Sequence, residues 1–315
     1  FDPGIGVNAL SASSYHGFVK KLNQYGDLVW VRQLSGVEVL ARDLEISNGN
    51  ELIIMGEFTD SLDINQTTTG LPLYTSSGRN AVFTLILDTN GNYLSAAKYE
   101  GSRYIYGTKV AYRELAGPRW DIGYFQDTLY HRGTPYMAGV TGTFLNGSNQ
   151  INILKGDDQV NARAAEISNS GSLLAVGNYF GKFYPPSGLP NQDTLTTTNR
   201  QNYFLYKQDI KGNPLWLKEV KGNATAYPVR VIQDPRNNNL NRSQSFLIAG
   251  SFGGTIDFDP DTSSTFNLTS RSANLDAFVQ KLDTSGNFIW AKSFRGTQGV
   301  GIGGLTTDDF GNIYL

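Results

Sequence analysis

Asp276 to Phe294 reads Asp-Ala-Phe-Val-Gln-Lys-Leu-Asp-Thr-Ser-Gly-Asn-Phe-Ile-Trp-Ala-Lys-Ser-Phe. This stretch decides the fold, because it is a β-hairpin in sequence form. Ala277 to Leu282 is rich in strand formers, and Phe288 to Lys292 supplies a second strand. Between them lies turn chemistry. Asp283 can accept hydrogen bonds from backbone amides across the turn, and Gly286 can take a positive φ without steric cost.

The chain repeats this hairpin. Copies run from Gly17 to Trp30, from Val82 to Tyr93 and from Tyr203 to Trp216. The aligned phenylalanines are Phe18, Phe83, Phe204 and Phe278, and the middle spacing is close to twice the first. One unit has therefore diverged, between about 101 and 161. A second pattern alternates with the hairpin. Ala41 to Asn48 followed by Glu51 to Phe58 returns as Ala162 to Asn169 followed by Leu173 to Phe180. Looser copies are Val229 to Asp234 with Phe246 to Phe252, and Ile302 to Asp308 with Asn312 to Leu315. Each unit thus holds four short strands bounded by Gly, Asn and Asp, and no stretch shows helical periodicity.

Four antiparallel strands per repeat, stacked radially, describe an all-β propeller whose sheets bury their faces against their neighbours. The covered chain supports about five blades, as a ring of its own or as part of a larger one. Residues 1–315 read as a single propeller domain. The terminal segments 1–35 and 299–315 would share a blade, since Phe1-Asp2-Pro3 matches Phe258-Asp259-Pro260 and Gly311 to Leu315 stops inside a repeat. In the divergent unit, Val110-Ala-Tyr-Arg and Tyr136 to Val140 read as the first two strands. A long insert from Gly117 to Pro135 separates them, and a shortened hairpin lies around Ile151 to Leu154.

Composition narrows the function. The 17% charged fraction and net charge of −2 lack the basic stripe that a nucleic-acid binder needs. Cysteine is absent, which removes disulfides, thiolate nucleophiles and Cys-based zinc sites. No segment has the apolar length to span a bilayer. The chain opens without Met or a signal peptide and reads as processed or partial.

The pattern of Asp276 to Lys292, with the later Gly-Asn-Ile-Tyr-Leu, resembles the SBBP family of β-propeller repeats in bacterial secreted proteins. The family name implies seven blades, against about five here. The Asn-, Thr- and Tyr-rich style is similar to surface proteins of Bacteroidota. The resemblance implies export to the cell surface or medium, with type IX secretion machinery as a transient partner. The expected role is a non-enzymatic binding or adhesion module for a glycan or protein. A carbohydrate-active propeller enzyme and a structural spacer are the alternatives.

Several residues are candidates for chemistry. Asp43, Glu45, Asp121, Asp127 and Glu166 could supply a glycosidase acid–base pair. Glu45 and Glu166 occupy equivalent repeat positions, however, whereas a catalytic set should break the repeat. Trp30, Trp216 and Trp290 recur in register, each followed two residues later by Arg32, Lys218 or Lys292. The expected roles are packing between blades for the indoles and a charge held in water for the cations. Asp257, Asp259 and Asp261 alternate in a way that suits calcium, as do Asp-Pro turns; no other cofactor is expected. His16 and His131 are expected to be ordinary loop residues. Asp60-Ser61-Leu62, Asp127-Thr128-Leu129 and Asp193-Thr194-Leu195 resemble the O-glycosylation acceptor of Bacteroidota. Ser61, Thr128 and Thr194 would then carry sugars in exposed loops.

Overall fold

A computed structural model describes residues 10, 12, 14–47, 49–63, 73–74, 79–112, 119–127, 129–131, 134–137, 141–147, 151–189, 193–197, 200–234, 245–271, 274–308 and 310–315. Thr128 lies outside them. The described residues form antiparallel β-sheets and contain no helix. Among the described residues, therefore, no helix is long and apolar enough to cross a membrane. The chain divides into two compact units, Phe1–Glu114 with Arg119–Val140, and Leu115–Pro118 with Thr141–Leu315.

In the first unit, β1 (Gly17–Leu22), β2 (Leu28–Ile46), β3 (Leu52–Asp63), β4 (Leu73–Tyr74), β5 (Asn80–Leu87) and β6 (Tyr93–Gly101) are followed by β7 (Ile105–Ala111) and β8 (Trp120–Phe125). Short strands β9 (Leu129–His131) and β10 (Thr134–Met137) complete it. One sheet runs β1-β2-β3-β5-β6-β9-β10, with β4 on β3, and β7 pairs with β8.

In the second unit, β11 (Thr141–Asn146) and β12 (Ile151–Gly156) form a hairpin. Next come β13 (Gln159–Ile167), β14 (Leu173–Phe180), β15 (Lys182–Tyr184), β16 (Leu195–Thr196), β17 (Asn202–Gln208) and β18 (Pro214–Gly222). Then follow β19 (Ala226–Gln233), β20 (Ser245–Phe252), β21 (Thr255–Asp257), β22 (Asn267–Thr269), β23 (Asp276–Asp283) and β24 (Phe288–Phe294). β25 (Thr306–Thr307) and β26 (Ile313–Tyr314) pair with each other. The expected four-strand order is present in β13-β14-β17-β18 and in β19-β20-β23-β24.

The hairpin turn forms as its residues dictate. Asp283 Oδ1 accepts the amides of Ser285 and Asn287 at 2.8 Å, while Asn287 Nδ2 donates to Oδ2 at 2.9 Å. Gly286 takes φ 78°. The same net recurs at Asp88 with Asn92 and at Asp209 with Asn213. Asn23 and Ser168 head variants of it.

A second device recurs in the first pair of strands. Each inner strand skips register at an equivalent place, between Ala41 and Asp43, Gly107 and Lys109, Ala162 and Ala164, and Pro228 and Arg230. Opposite stand Gly56, Gly123, Gly177 and Gly250. The bulge thrusts a backbone carbonyl at the facing strand. A Cβ on Gly177 would collide with the Asn161 carbonyl, and one on Gly250 with that of Tyr227.

This equivalence corrects the sequence reading of the divergent unit. Its second strand is β8, inside the supposed insert, and Tyr136–Met137 belongs to β10 on β9. Its hairpin is not shortened to four residues either, since β11 and β12 pair over six positions each. The letters Trp-Asp-Ile-Gly-Tyr-Phe at 120–125 carry the strand-two glycine, but a charged residue interrupts the apolar run.

The sequence also missed the short strands that follow the second strand of each unit. The end of β3, together with β9, β15 and β21, pairs with the last hairpin strand of the preceding unit: β2, β6, β12 and β18. That covers edges which would otherwise offer unpaired backbone to other chains.

The apolar residues between these sheets form the cores. In the first unit Val19, Leu34, Val39, Ile54, Phe58, Phe83 and Leu85 cluster, with Trp30 packed against them. In the second, Leu174, Val176, Tyr203, Leu205, Phe246, Ile248 and Phe278 lie together, with Trp216 on their margin.

Candidate functional site

The repeated tryptophans build one contact twice. Trp30 Nε1 donates to the Thr89 carbonyl at 3.0 Å, and Arg32 Nε to that of Gly91 at 3.0 Å. Lys21, across the hairpin from Trp30, donates to the Thr89 carbonyl at 2.9 Å. In the second unit Trp216 Nε1 reaches the Thr284 carbonyl at 3.3 Å. Lys218 reaches that of Gly286 at 3.0 Å, and Lys207 that of Thr284 at 2.7 Å. Each hairpin therefore clamps the turn of the next one. The indole packs against the turn glycine, 3.1 Å from where a Cβ on Gly91 or Gly286 would stand. The indoles are half-buried, as packing between repeats requires. Arg32 and Lys218 remain partly exposed, but their charged groups also hydrogen-bond to turn carbonyls, which the sequence reading of a charge in water did not include.

Asn152 takes the clamp's place on the third hairpin, donating to the Gly212 carbonyl at 2.8 Å. The hairpin β5–β6 carries Ser95 at the Trp position, opposite Ile86.

The acidic candidates separate. Asp43 and Glu45 on β2 converge on Lys109 of β7, with N–O distances of 3.3 and 2.9 Å. Asp43 also accepts the Val110 amide at 2.8 Å. Burial alone would pull the Lys109 ammonium down; Asp43 and Glu45 outweigh it and hold its pKa above the ordinary value. Asp43 and Lys109 both follow the bulge, at the same position in successive repeats. Two carboxylates bridged by one cation form a strut between strands; a glycosidase needs two carboxyls pushed apart in pKa across a sugar. Glu166 stands half-buried on β13, opposite Leu174, as Glu45 stands opposite Ile53.

Asp121 is buried outright and balanced by Arg119 at 2.9 Å and by the Tyr99 hydroxyl, which donates at 2.7 Å. Asp127 accepts the Ser102 hydroxyl at 2.8 Å. The structure does not bring Asp121 or Asp127 to Asp43 and Glu45 by any of these bonds.

The Asp257–Asp261 segment is a chain of side-chain-capped turns. Asp257 Oδ1 accepts the amides of Asp259 and Phe266 at 3.0 and 2.7 Å. Asp259 accepts the Asp261 amide at 3.0 Å and the Ser264 hydroxyl at 2.6 Å. Asp261 accepts the Ser263 amide and hydroxyl, both at 2.9 Å. Hydrogen bonds from Ser263 hold the Asp261 carboxyl below its ordinary range. Among the described residues, no group of three His, Cys, Asp or Glu side chains converges as a metal site.

The Asp-Ser/Thr-Leu triplets have a backbone explanation at two of three places. Asp60 and Asp127 take φ 65° and 70°, at the repeat position where Gly181 and Gly254 take 74° and 60°. Two residues on, Leu62, Leu129, Phe183 and Ile256 are buried. The pattern is a left-handed residue followed by a buried strand anchor. Ser61 accordingly lies in β3, half-buried and backbone-paired with Tyr74, and not in the exposed loop expected for it. Thr194 is exposed, immediately before β16.

His16 Nδ1 lies 2.5 Å from Gln33 Nε2, beside the first hairpin. His131 is in β9, not in a loop. No family model and no curated protein matches the chain.

Proposed function

We propose that this chain is an exported β-propeller of the SBBP type, acting as a binding or adhesion module that presents loops to glycans or proteins at a cell surface. One observation carries the reading: a clamp of Trp with Arg or Lys on the next hairpin's turn occurs twice, in separate units. Repeats locked this way make a rigid scaffold for display. The candidate chemical groups are spent on structure: Asp43, Glu45 and Lys109 form a strut, and the Asp257–Asp261 carboxylates cap turns.

Screening the protein on a glycan array, beside a hydrolysis assay on the same glycans, tests the proposal. Saturable binding without turnover supports display. Turnover lost in Asp43→Asn but not in Asp121→Asn would replace it with a carbohydrate-active enzyme. Absence of binding to glycans and to surface proteins would leave the spacer role.

A further inference from the structure

Five hairpins end on the same three-residue pattern, an apolar residue, a variable one and a glycine. They are Leu34-Ser35-Gly36, Tyr99-Glu100-Gly101, Leu154-Lys155-Gly156, Val220-Lys221-Gly222 and Phe294-Arg295-Gly296. At the first four a short covering strand lies antiparallel to the ending, with Leu62, Leu129, Phe183 or Ile256 opposite the glycine. At three of them the covering strand explains the glycine. A Cβ on Gly36, Gly156 or Gly222 would stand 2.1, 2.4 or 2.1 Å from the carbonyl oxygen of Ser61, Lys182 or Thr255. Those carbonyls belong to the middle residues of the covering triplets. Two of them also take a hydrogen bond from the residue after the glycine: the Asp157 amide donates to Lys182 at 3.0 Å, and the Asn223 amide to Thr255 at 2.8 Å.

The fifth ending has the glycine without the covering strand. Among the described residues β24 is the last strand of its sheet, and it stops at Phe294, whereas β6, β12 and β18 run on through their glycines. The atom nearest a Cβ on Gly296 is Val300 Cγ2 at 2.8 Å, a side-chain methyl and not a facing carbonyl. Val160 stands the same way, 2.7 Å from a Cβ on Gly156, so the ending is built as in a filled case. Leu34, Tyr99, Leu154 and Val220 are at most 1% exposed, but Phe294 is 44% exposed. The burial has a partner in the covering strand: Leu34 shares a core cluster with Leu62, and Val220 shares one with Ile256. Among the described residues the Thr297 amide makes no bond like those of Asp157 and Asn223.

We infer that the edge of β24 from Phe294 to Thr297 is a strand-acceptor site. Its occupant is a short extended segment of a further repeat of this type. That segment carries a left-handed Gly or Asp, then a residue whose carbonyl faces Gly296 and accepts the Thr297 amide, then a large apolar residue that covers Phe294. The triplets already seated, Asp60 to Leu62, Gly181 to Phe183 and Gly254 to Ile256, specify this chemistry. Backbone pairing fixes the register and the apolar side chain selects the segment, as in other strand additions to an open sheet edge. The site lies within one hairpin and is independent of any ligand that the loops display.

The chain has no cysteine, so an introduced thiol is unique. Lys221 pairs with Asp257, and Arg295 holds the place of Lys221. The Arg295→Cys protein is equilibrated in a thiol redox buffer with a peptide that copies residues 253–258 and carries Asp257→Cys. A second peptide carries Ile256→Ser as well. The first peptide should be captured about tenfold more than the second, the worth of one buried aliphatic side chain, and its capture should slow exchange of the Thr297 amide. Phe294→Asp, at a position exposed in the free protein, should reduce capture to the level of the second peptide. Gly296→Ala should do the same, and Gly303→Ala, in open space, should leave capture unchanged. Equal capture of the two peptides would overturn the site, as would undiminished capture by the Phe294→Asp protein. Slow Thr297 exchange in the free protein would show the edge already covered and would also overturn it. Glycan binding enters none of these measurements, so the display reading stands or falls separately.

Discussion

Replacing Trp216 by Ala should loosen the clamp between the hairpin β17–β18 and the turn at 283–287. Removing a fully buried Trp costs about 3–5 kcal/mol. Trp216 is half-buried, so roughly half of that applies, and its long hydrogen bond to the Thr284 carbonyl adds about 0.5–1 kcal/mol. The expected loss is about 2–3 kcal/mol. Urea unfolding read by tyrosine fluorescence gives the total, and amide exchange at Asp283, Ser285 and Gly286 localises it. Trp216→Phe loses the donor and the outer indole ring that touches Gly286 but keeps part of the apolar contact, so it should cost about 1–2 kcal/mol, less than Ala. Leu215→Ala, on the adjacent exposed position, should cost almost nothing. If Trp216→Ala shifts stability no more than Leu215→Ala and leaves exchange at the turn unchanged, the clamp does not hold the repeats together.

Gly177→Ala should destabilise by about 3 kcal/mol or more, because the new methyl meets backbone that cannot rotate away; Gly303→Ala, in open space, should be within about 0.5 kcal/mol of neutral. Lys109→Met leaves Asp43 and Glu45 facing each other without their cation and should cost about 1–2 kcal/mol, discounted for partial exposure and diminishing in high salt. The carboxyls of Asp88, Asp209 and Asp308 should titrate below the aspartate value of about 3.9 in a carbon-13 NMR series. For Asp88 the Asn92 hydrogen bonds cause this; for Asp209 and Asp308 burial pushes upward and the bonds from Asn213 and Asn312 outweigh it. Because these folded-state values are depressed, the stabilisation is present above the unfolded value and fades as pH falls through the folded one; Asp88→Asn should remove its share of that acid sensitivity. Peptide mass spectrometry of protein from its native source should find any O-linked sugar at Thr194 rather than at Ser61, which is half-buried in a strand.

The hairpins and their turns were legible because every requirement of the turn is written in a side chain or its absence. An Asx residue caps the amides, glycine supplies the positive φ, and the following Asn closes the net. The paired strands before each hairpin were equally legible where both runs are apolar. In the divergent unit the period was obscured by Asp121, which the fold tolerates through Arg119 and the Tyr99 hydroxyl. Gly123 was the usable signal there, since the bulge opposite demands a residue without Cβ. The added strands β9–β10, β15–β16 and β21–β22 are too short to show a period of two.

The clamp and the triplets explain the rest of the gap. Three tryptophans in register could be seen, but the acceptors of Trp30 and Trp216 are backbone carbonyls, which no letter encodes. That is why the cations were expected in water. The triplets show the opposite case. Asp60-Ser61-Leu62 and Asp127 with Leu129 carry a side-chain pattern that suggests an acceptor, while its origin is a backbone angle shared with Gly181 and Gly254. Asp tolerates the left-handed region better than most residues, and a buried Leu two positions later anchors the strand. Asp193-Thr194-Leu195 lacks both constraints, so the same three letters stand there on an exposed segment. Equivalence between repeats separates a motif imposed by the fold from one left free for another use, and Thr194 is where those two readings part.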